Sequence, residues 1–420
     1  MRPEGNEPLT QGIEQDGNPG MNSPTRVAFF TDTYDEINGV ALTSRQLEDF
    51  ARRRGYPFLC VRGGSETLIR DEVVVIKRGP FSVGLDRGLT YDPFLWRHGS
   101  RVKEAVRNFQ PDVIHVVSPG DVSGIGMWIA WRLKVPLVIS WHTNLHEFGE
   151  MRLRRMLQGL PSPLRNGICR VSESLMLAIA IGFYRFGRVL FAPNQELVEM
   201  LARRTGRPTR LMTRGIDIQL FRPSKRRVHD RIFRLGFVGR ITPEKSVRLF
   251  AKVEETLLAS GLNNFRFLIV GDGSERGWLK RNLRHADLPG ILRGEDLAAA
   301  FANMDLFLFP SRTDTFGNVV QEAMASGVPS IVTDAGGPKF IVREGISGCV
   351  AHSDEEFVER CVELMQDRER LSSMREAGLE QATHASWDRV FEDVYAGYTT
   401  AIRSHVSPAS ACAFPGVTDF

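Results

Sequence analysis

Apolar residues in this chain fall in short dense clusters separated by polar, glycine-bearing stretches. The first cluster, Arg26-Val-Ala-Phe-Phe-Thr31, has the character of a buried strand. A polar loop over 32–39 follows. Leu42, Leu47, Phe50 and Ala51 then make a helical stripe that stops at Gly55. Further strands are predicted over 57–61, 73–77, 112–117 and 136–140, with a helix over 122–133. These strands are apolar on both faces, so the expected arrangement is a parallel sheet with helices on both sides.

The pattern restarts after the charged stretch 225–231. Strands are predicted over 233–238, 265–270, 306–309 and 329–332, and helices over 246–259, 274–284, 295–302 and 318–325. Two helices follow without a strand, near 355–365 and 369–383. A last helix, 387–403, carries Trp387, Val390, Phe391, Val394, Tyr395 and Tyr398 at three-four spacing. No internal repeat of solenoid length is visible. The expected organisation is a disordered tail over 1–24, an α/β domain over 25–215, a linker over 216–231, a second α/β domain over 232–385, a C-terminal helix over 386–404 and a tail over 405–420.

Composition narrows the class. The 420 residues hold 54 Lys plus Arg against 50 Asp plus Glu, a formal charge of +4, which argues against a nucleic-acid binder. With 42% apolar and 25% charged residues the chain is an ordinary globular one. Cys60, Cys169, Cys349, Cys361 and Cys412 are scattered and never in C-x-x-C spacing, which fits a reducing cytoplasm and no zinc site. Residues 1–24 lack an apolar core and are not a signal peptide. The longest apolar run, Leu175 to Tyr184, is ten residues. A membrane span needs about 20, so the run is too short to cross and long enough to lie on a surface.

Ligands on parallel sheets bind beyond the carboxyl ends of the strands, and two facing domains enclose a cleft. The strand-exit loops therefore hold the candidate chemistry. In Pro310-Ser-Arg-Thr-Asp-Thr-Phe-Gly-Asn-Val-Val-Gln-Glu322, a strand gives way to a helix at Gly317-Asn318. The free N–H groups at this turn, with the positive helix end, suit a phosphate. Asp314 and Glu322 are carboxylates that can accept hydrogen bonds from sugar hydroxyls. The competing reading makes Asp314 a helix cap and Glu322 a surface acid. In Phe237-Val-Gly-Arg-Ile-Thr-Pro-Glu-Lys245, Gly239 admits a ligand close to the backbone, and Arg240 and Lys245 suit a diphosphate. The competing reading is a solvated loop. Asn38-Gly39 before the first helix can offer N–H groups to an anion, although one glycine is not a dinucleotide fingerprint. His142, in Ser140-Trp-His-Thr-Asn144, sits at a strand end facing the cleft; the alternative is a structural histidine. Val270-Gly-Asp-Gly-Ser274 and Thr333-Asp-Ala-Gly-Gly337 are further glycine-rich strand exits.

Taken together these residues resemble glycosyltransferase family 4, over about residues 26–400. The carriers are Gly239-Arg240 with Lys245, Gly271-Asp-Gly273, Asp305 before Pro310-Ser311, Thr315-Phe-Gly-Asn-Val-Val-Gln-Glu-Ala-Met-Ala-Ser-Gly-Val-Pro329, and Ala335-Gly-Gly337. Asn38-Gly39-Val40, Pro111-Asp-Val-Ile-His115, His142-Thr-Asn144 and Arg214-Gly-Ile-Asp217 also fit. The resemblance implies the GT-B architecture, two Rossmann-like α/β/α domains across a cleft, with the acceptor on the N-terminal and the nucleotide sugar on the C-terminal domain. It implies a retaining hexosyltransferase that uses a nucleotide-diphosphate sugar as co-substrate and no cofactor. By that match Arg240 and Lys245 hold the diphosphate, Glu322 binds the ribose, and Gly239 and residues 316–319 face the donor. Asn38 and Gly39 close on the phosphate, and His142 contacts the sugar near the reacting carbon. Asp314 departs from the pattern. It stands at the first-acid position, where the family usually has Glu, and is about 1.5 Å shorter, which bears on sugar identity. No Asp-x-Asp pair is present, so no metal is expected.

The alternatives are a nucleotide-sugar epimerase, for which further acids near the sugar carbon are not visible, and a non-catalytic nucleotide-sugar-binding protein. A lipid or lipid-linked acceptor and an anionic membrane surface are suggested by the stretch from Arg152 to Arg188. It holds Arg152, Arg154, Arg155, Arg165, Arg170, Arg185 and Arg188 against the single acid Glu173, around the apolar run 175–184. A plain buried helix with a solvated arginine rim is the competing account. The expected location is cytoplasmic, with a peripheral seat on the inner face of the membrane as its extension.

Overall fold

Strands β1 (Val27–Thr31), β2 (Phe58–Gly64), β3 (Leu68–Ile69) and β4 (Val73–Lys77) open the first domain. A hairpin, β5 (Val83–Asp86) and β6 (Leu89–Tyr91), follows, and then β7 (Val113–Val116), β8 (Leu137–Ser140), β9 (Val189–Ala192) and β10 (Thr209–Leu211). The sheet runs β10-β9-β8-β7-β1-β2-β4-β3 and is parallel except for β3. In this computed structural model the described residues are 24–406, apart from 37, 81, 87, 88, 145–148, 150–152, 155 and 158. The tails expected at the two ends therefore lie outside the described residues, except for 24, 405 and 406. Arg152, Arg155 and Cys412 lie outside as well.

Helices α1 (Gly39–Arg53), α2 (Gly99–Phe109), α3 (Asp121–Leu133), α4 (Ser162–Tyr184) and α5 (Gln195–Thr205) flank that sheet. One face is packed by Val102 and Val106 of α2, Ile125 and Ile129 of α3, Ile181 and Tyr184 of α4, and Leu201 of α5. The second domain has β11 (Phe233–Val238), β12 (Phe265–Val270), β13 (Ala286–Gly290), β14 (Leu306–Phe309), β15 (Ser330–Thr333) and β16 (Gly348–Ala351). They form an all-parallel sheet in the order β13-β12-β11-β14-β15-β16. Its helices are α6 (Leu249–Ala259), α7 (Arg276–Asn282), α8 (Gly294–Ala302), α9 (Asn318–Ala325), α10 (Asp354–Gln366) and α11 (Arg368–Thr383). The doubly wound architecture expected for both halves is present.

The last helix, α12 (Trp387–Val406), returns to the first domain. Its stripe of Trp387, Val390, Phe391, Val394 and Tyr398 covers the sheet face that α1 shares. Each such side chain contributes about 1.5–3 kcal/mol on burial. Phe50 and Phe391 rings stand 5.6 Å apart, and Arg53–Asp388 and Arg54–Glu392 ion pairs edge the contact. His115, buried on β7, bridges the Tyr398 hydroxyl at 2.7 Å and the Ser140 hydroxyl at 2.5 Å. The domains are thus crossed twice by the chain, and the crossings are pinned where Ile216 N–H donates to the Ala385 carbonyl.

Three features differ from the sequence reading. Strands β3, β5, β6, β9, β10, β13 and β16 and helices α2 and α5 were not anticipated, because two to five residues of strand carry too little pattern and α2 buries only two large apolar side chains. The segment 216–231, expected as a linker, lies against the second domain. Lys225 pairs with Glu295, Arg226 with Asp305 and Arg227 with Asp296, so its charges are spent on anchoring. The run 175–184 is buried only at its end: Ile181 and Tyr184 are covered, but Leu175 is 60% and Ile179 66% exposed.

Candidate functional site

The exits of β11 and β14 are each held by a glycine-rich neighbour. Gly239 leaves β11 with φ 153°. Its N–H donates to the Val270 carbonyl, Ile241 N–H to Asp272, and Glu275 N–H back to Ile241. A Cβ on Gly271 would stand 1.9 Å from the Gly239 carbonyl oxygen, so only glycine lets the two loops lie this close. The loop 314–317 is braced likewise. Gly337 N–H donates to the Asp314 carbonyl at 2.7 Å, and a Cβ there would stand 2.1 Å from the Thr315 oxygen. The two minor glycine motifs are therefore scaffolds for the two loops of interest.

Lys245 is buried, and its Nζ lies 2.5 Å from Asp314 Oδ2. Burial alone would push the Asp314 carboxyl up, but the Lys245 ammonium outweighs it and holds the group below its usual range. Asp314 is thus an ionised partner of Lys245 and does not cap the helix. Arg240 is more open and stands 3.6 Å from Glu244.

Helix α9 begins after Gly317, which has φ 102°, and no side chain caps it. Among the described residues the N–H groups of Asn318 and Val319 find no acceptor. Facing it is α1, where Asn38 Oδ1 accepts from Ala41 N–H at 2.8 Å. The Asn38 side chain is occupied as a cap, and among the described residues the N–H groups of Gly39 and Val40 find no acceptor. A Cβ on Gly39 would stand 3.4 Å from Asn318 Nδ2. Two helix N-termini, one from each domain, converge on one spot, each carrying about half a positive charge.

Glu322, half-buried within α9, has no hydrogen-bond partner among the described residues, and burial raises its carboxyl from near 4.5 to about 7. Phe316 is buried and lies 5.8 Å from the Arg214 guanidinium. His142 is buried at the exit of β8, and its carbonyl accepts from Thr315 Oγ1 at 2.8 Å. The sequence-derived residues therefore gather at one interdomain cleft: Asn38, Gly39 and His142 from one side, Gly239, Arg240, Lys245, Asp314, Phe316, Gly317, Asn318, Val319 and Glu322 from the other.

Four residues escaped the sequence reading as site components. Thr315 bonds to His142 through its hydroxyl and to Asn194 Nδ2 through its carbonyl. Asn194 also caps α5 through Leu197 N–H. Gln321 Nε2 donates to the Arg214 carbonyl, and Arg214 NH2 donates to His142 Nδ1. Asn194 follows the unanticipated strand β9, which is the signal that would have marked it. Arg214 and Gln321 lay inside quoted motifs without a role.

Two family descriptions match the chain: "Glycosyltransferase Family 4" over residues 37–220 and "Glycosyl transferases group 1" over residues 232–367. The GDP-mannose-dependent alpha-mannosyltransferase of Mycolicibacterium smegmatis is 33% identical over 342 residues, covering 78% of this chain and 85% of that protein. The protein of the same name from Corynebacterium glutamicum is 27% identical over 399 residues, 90% of each. Sucrose-phosphate synthase from Thermosynechococcus elongatus shares the fold, with a TM-score of 0.66 at 16% identity over 90% of this chain and all of that one.

The raised Glu322 carboxyl has a thermodynamic consequence. A group whose carboxyl is raised on folding adds stability below its unfolded value and loses it as pH climbs through the folded value, here from about 4.5 to about 7. Glu322→Gln is therefore expected to raise Tm at pH 8.5 and to leave it nearly unchanged at pH 5, read by differential scanning fluorimetry. An equal shift at both pH values would mean that Glu322 is not held in a charge-hostile site.

Proposed function

The chain belongs to glycosyltransferase family 4, and on that premise we propose that it moves a hexose from a nucleoside-diphosphate sugar to a lipid or lipid-linked hydroxyl, with retention at the anomeric carbon and without a metal. The observation that carries this reading is the meeting of the α1 and α9 N-termini beside Lys245 and Arg240. A departing diphosphate gains negative charge as the glycosidic bond to it breaks. Fixed cations and helix ends aimed at that charge are the largest expected source of rate. They do the work a metal would otherwise do, in keeping with a sequence that has no Asp-x-Asp pair. Glu322, unpartnered, suits two ribose hydroxyls. Lys245 is shared between the diphosphate and Asp314, so the short acid reaches the sugar only alongside its ammonium. The epimerase and non-catalytic alternatives are not favoured, since the similar proteins are named as transferases.

GDP-mannose is the first donor to try, because both similar mannosyltransferases are named for it. With a competent donor, nucleotide release is expected to require acceptor, to survive excess chelator and to give a product of unchanged anomeric configuration by NMR. Arg240→Ala and Lys245→Ala are each expected to lower turnover by about 10²-fold or more while staying folded. Loss of activity with chelator, restored by Mg²⁺ or Mn²⁺, would refute the metal-free scheme.

Asp314 is the residue we assign to sugar choice. Asp314→Glu adds about 1.5 Å of reach. It is expected to reorder rates among donor sugars while leaving affinity for the free nucleoside diphosphate nearly constant, measured by competition assay and calorimetry. An unchanged donor ranking would leave Asp314 as a mere partner of Lys245.

The acceptor side rests on α4. By length and composition this helix is long and apolar enough to cross a membrane. It is held instead against the first domain by Cys169, Ile181 and Tyr184 and runs on into β9. Its outward stripe is Leu164, Ile168, Val171, Leu175 and Ile179, all exposed, at three-four spacing. Trp131 on α3, in the same layer, is also exposed. Arg154, Arg170 and Arg185 are exposed along this stretch, and each arginine near an anionic surface adds about 1 kcal/mol. We read this face as a seat on an anionic bilayer, where a lipid acceptor waits; the buried free thiols of Cys60, Cys169, Cys349 and Cys361 suit the cytoplasmic side. Sedimentation with anionic vesicles is expected to carry the protein down at low salt, less at high salt, and less again for Val171→Glu with Leu175→Glu. A protein that stays in solution at low salt would favour a soluble acceptor.

A further inference from the structure

His142 and Arg214 form a contact whose chemistry is unusually constrained. Arg214 is 4% exposed. Its NH1 donates to the carbonyls of Met212 and Thr213, its NH2 donates to His142 Nδ1 at 2.7 Å, and no carboxylate among the described residues pairs with it. A guanidinium only donates, and although burial lowers its pKa to about 10 it stays charged at neutral pH. His142 Nδ1 must therefore present its lone pair, and the ring proton of a neutral imidazole sits on Nε2. That Nε2 is buried and has no partner among the described residues.

The surroundings also oppose an imidazolium. Among the described residues, the charged or titratable groups facing His142 are Arg214 and, deeper, His115. Burial first, then these two, hold the His142 ring well below its ordinary pKa. His115 is itself kept neutral by burial, between Ser140 and Tyr398. The His142 carbonyl meanwhile receives Thr315 Oγ1, so the backbone of His142 is tied to the loop that carries Asp314, Phe316 and Gly317. A buried N–H donor left without an acceptor beside that loop is a donor reserved for a ligand.

We propose that Arg214 is a positioning residue that locks His142 as the neutral Nε2–H tautomer, so that His142 serves as a hydrogen-bond donor to an oxygen of the bound sugar and not as an acid or base. This rests on the glycosyltransferase reading of the cleft. It separates His142 from the usual roles of a histidine at a reaction centre: its Nε2 cannot take a proton, because it already holds one, and its Nδ1 is occupied.

The test uses the full chain labelled with ¹⁵N-histidine, with the His142 signals assigned by their loss in His142→Gln. The expected result is a protonated Nε2, an unprotonated Nδ1 and no titration between pH 5.5 and 8. Arg214→Lys, which also only donates, is expected to keep that tautomer; Arg214→Met is expected to release it and to let the ring titrate. In turnover assays Arg214→Met should lose about tenfold or more in kcat, the cost of one misplaced hydrogen-bond donor, and gain an acidic limb in its pH profile. Arg214→Lys should lose less. His142→Gln, whose amide N–H can donate, should outperform His142→Leu. A wild-type His142 that titrates near 6.5, or that carries its proton on Nδ1, overturns the proposal even if Arg214→Met fails to fold. The spectroscopic result does not depend on turnover, so absence of transfer with every nucleotide sugar would refute the reading of the cleft without deciding the tautomer.

Discussion

Thr315 is bonded by the first domain from two directions, its hydroxyl to the His142 carbonyl and its carbonyl to Asn194 Nδ2. It sits between Asp314, which pairs with Lys245, and Phe316-Gly317, which start α9. The position of this one residue therefore sets three things together: the register of the two domains, the place of the Lys245 ammonium, and the direction of the α9 N-terminus. The loop could not serve as such a reference if it were mobile. Gly337 presses against the Thr315 carbonyl from behind with no room for a side chain, which makes the backbone of 314–316 a fixed wall.

Around that wall the charges are arranged with little mutual cancellation. Lys245 has Asp314, but among the described residues the two helix ends have no anion, Arg214 has no carboxylate, and Glu322 has no cation. Each such group is costly, since buried charge is stable only when paired. A structure selected for stability alone would pair or remove them. On the proposed reading of the cleft their partners arrive with the ligand: negative charge for the helix ends, hydroxyls for Glu322, an oxygen for His142.

Much of this was legible in the sequence because the fold is of a kind whose chemistry lies at strand exits. The runs ending at Thr31, Ser140, Val238 and Phe309 were apolar enough to be read as strands, and the residues just after them became the candidates. What was not legible depended on contacts across the cleft. Nothing local in Thr315 or Asn194 distinguishes them from other loop residues, and Arg214 shows its meaning only when His142 is seen at 2.7 Å. The stripe of α12 was plain, but a stripe does not say which sheet it covers, and here it covers the sheet of the other domain. For α4 the reverse held. Its apolar run read equally as buried or interfacial, and only the fold shows that the stripe from Leu164 to Ile179 faces outward.

The interdomain crossings and the site share the same few residues. The chain passes between domains at 212–216 and again near 385–387, and these passages touch: Ile216 N–H donates to the Ala385 carbonyl, and a Cβ on Gly215 would stand 2.3 Å from Trp387 N. Arg214 is the residue immediately before that contact. Its guanidinium reaches His142 in the first domain, and its carbonyl accepts from Gln321 in α9 of the second. One residue thus ties the crossing of the chain to both walls of the cleft, and Thr315 ties the loop before α9 to the backbone of the same histidine.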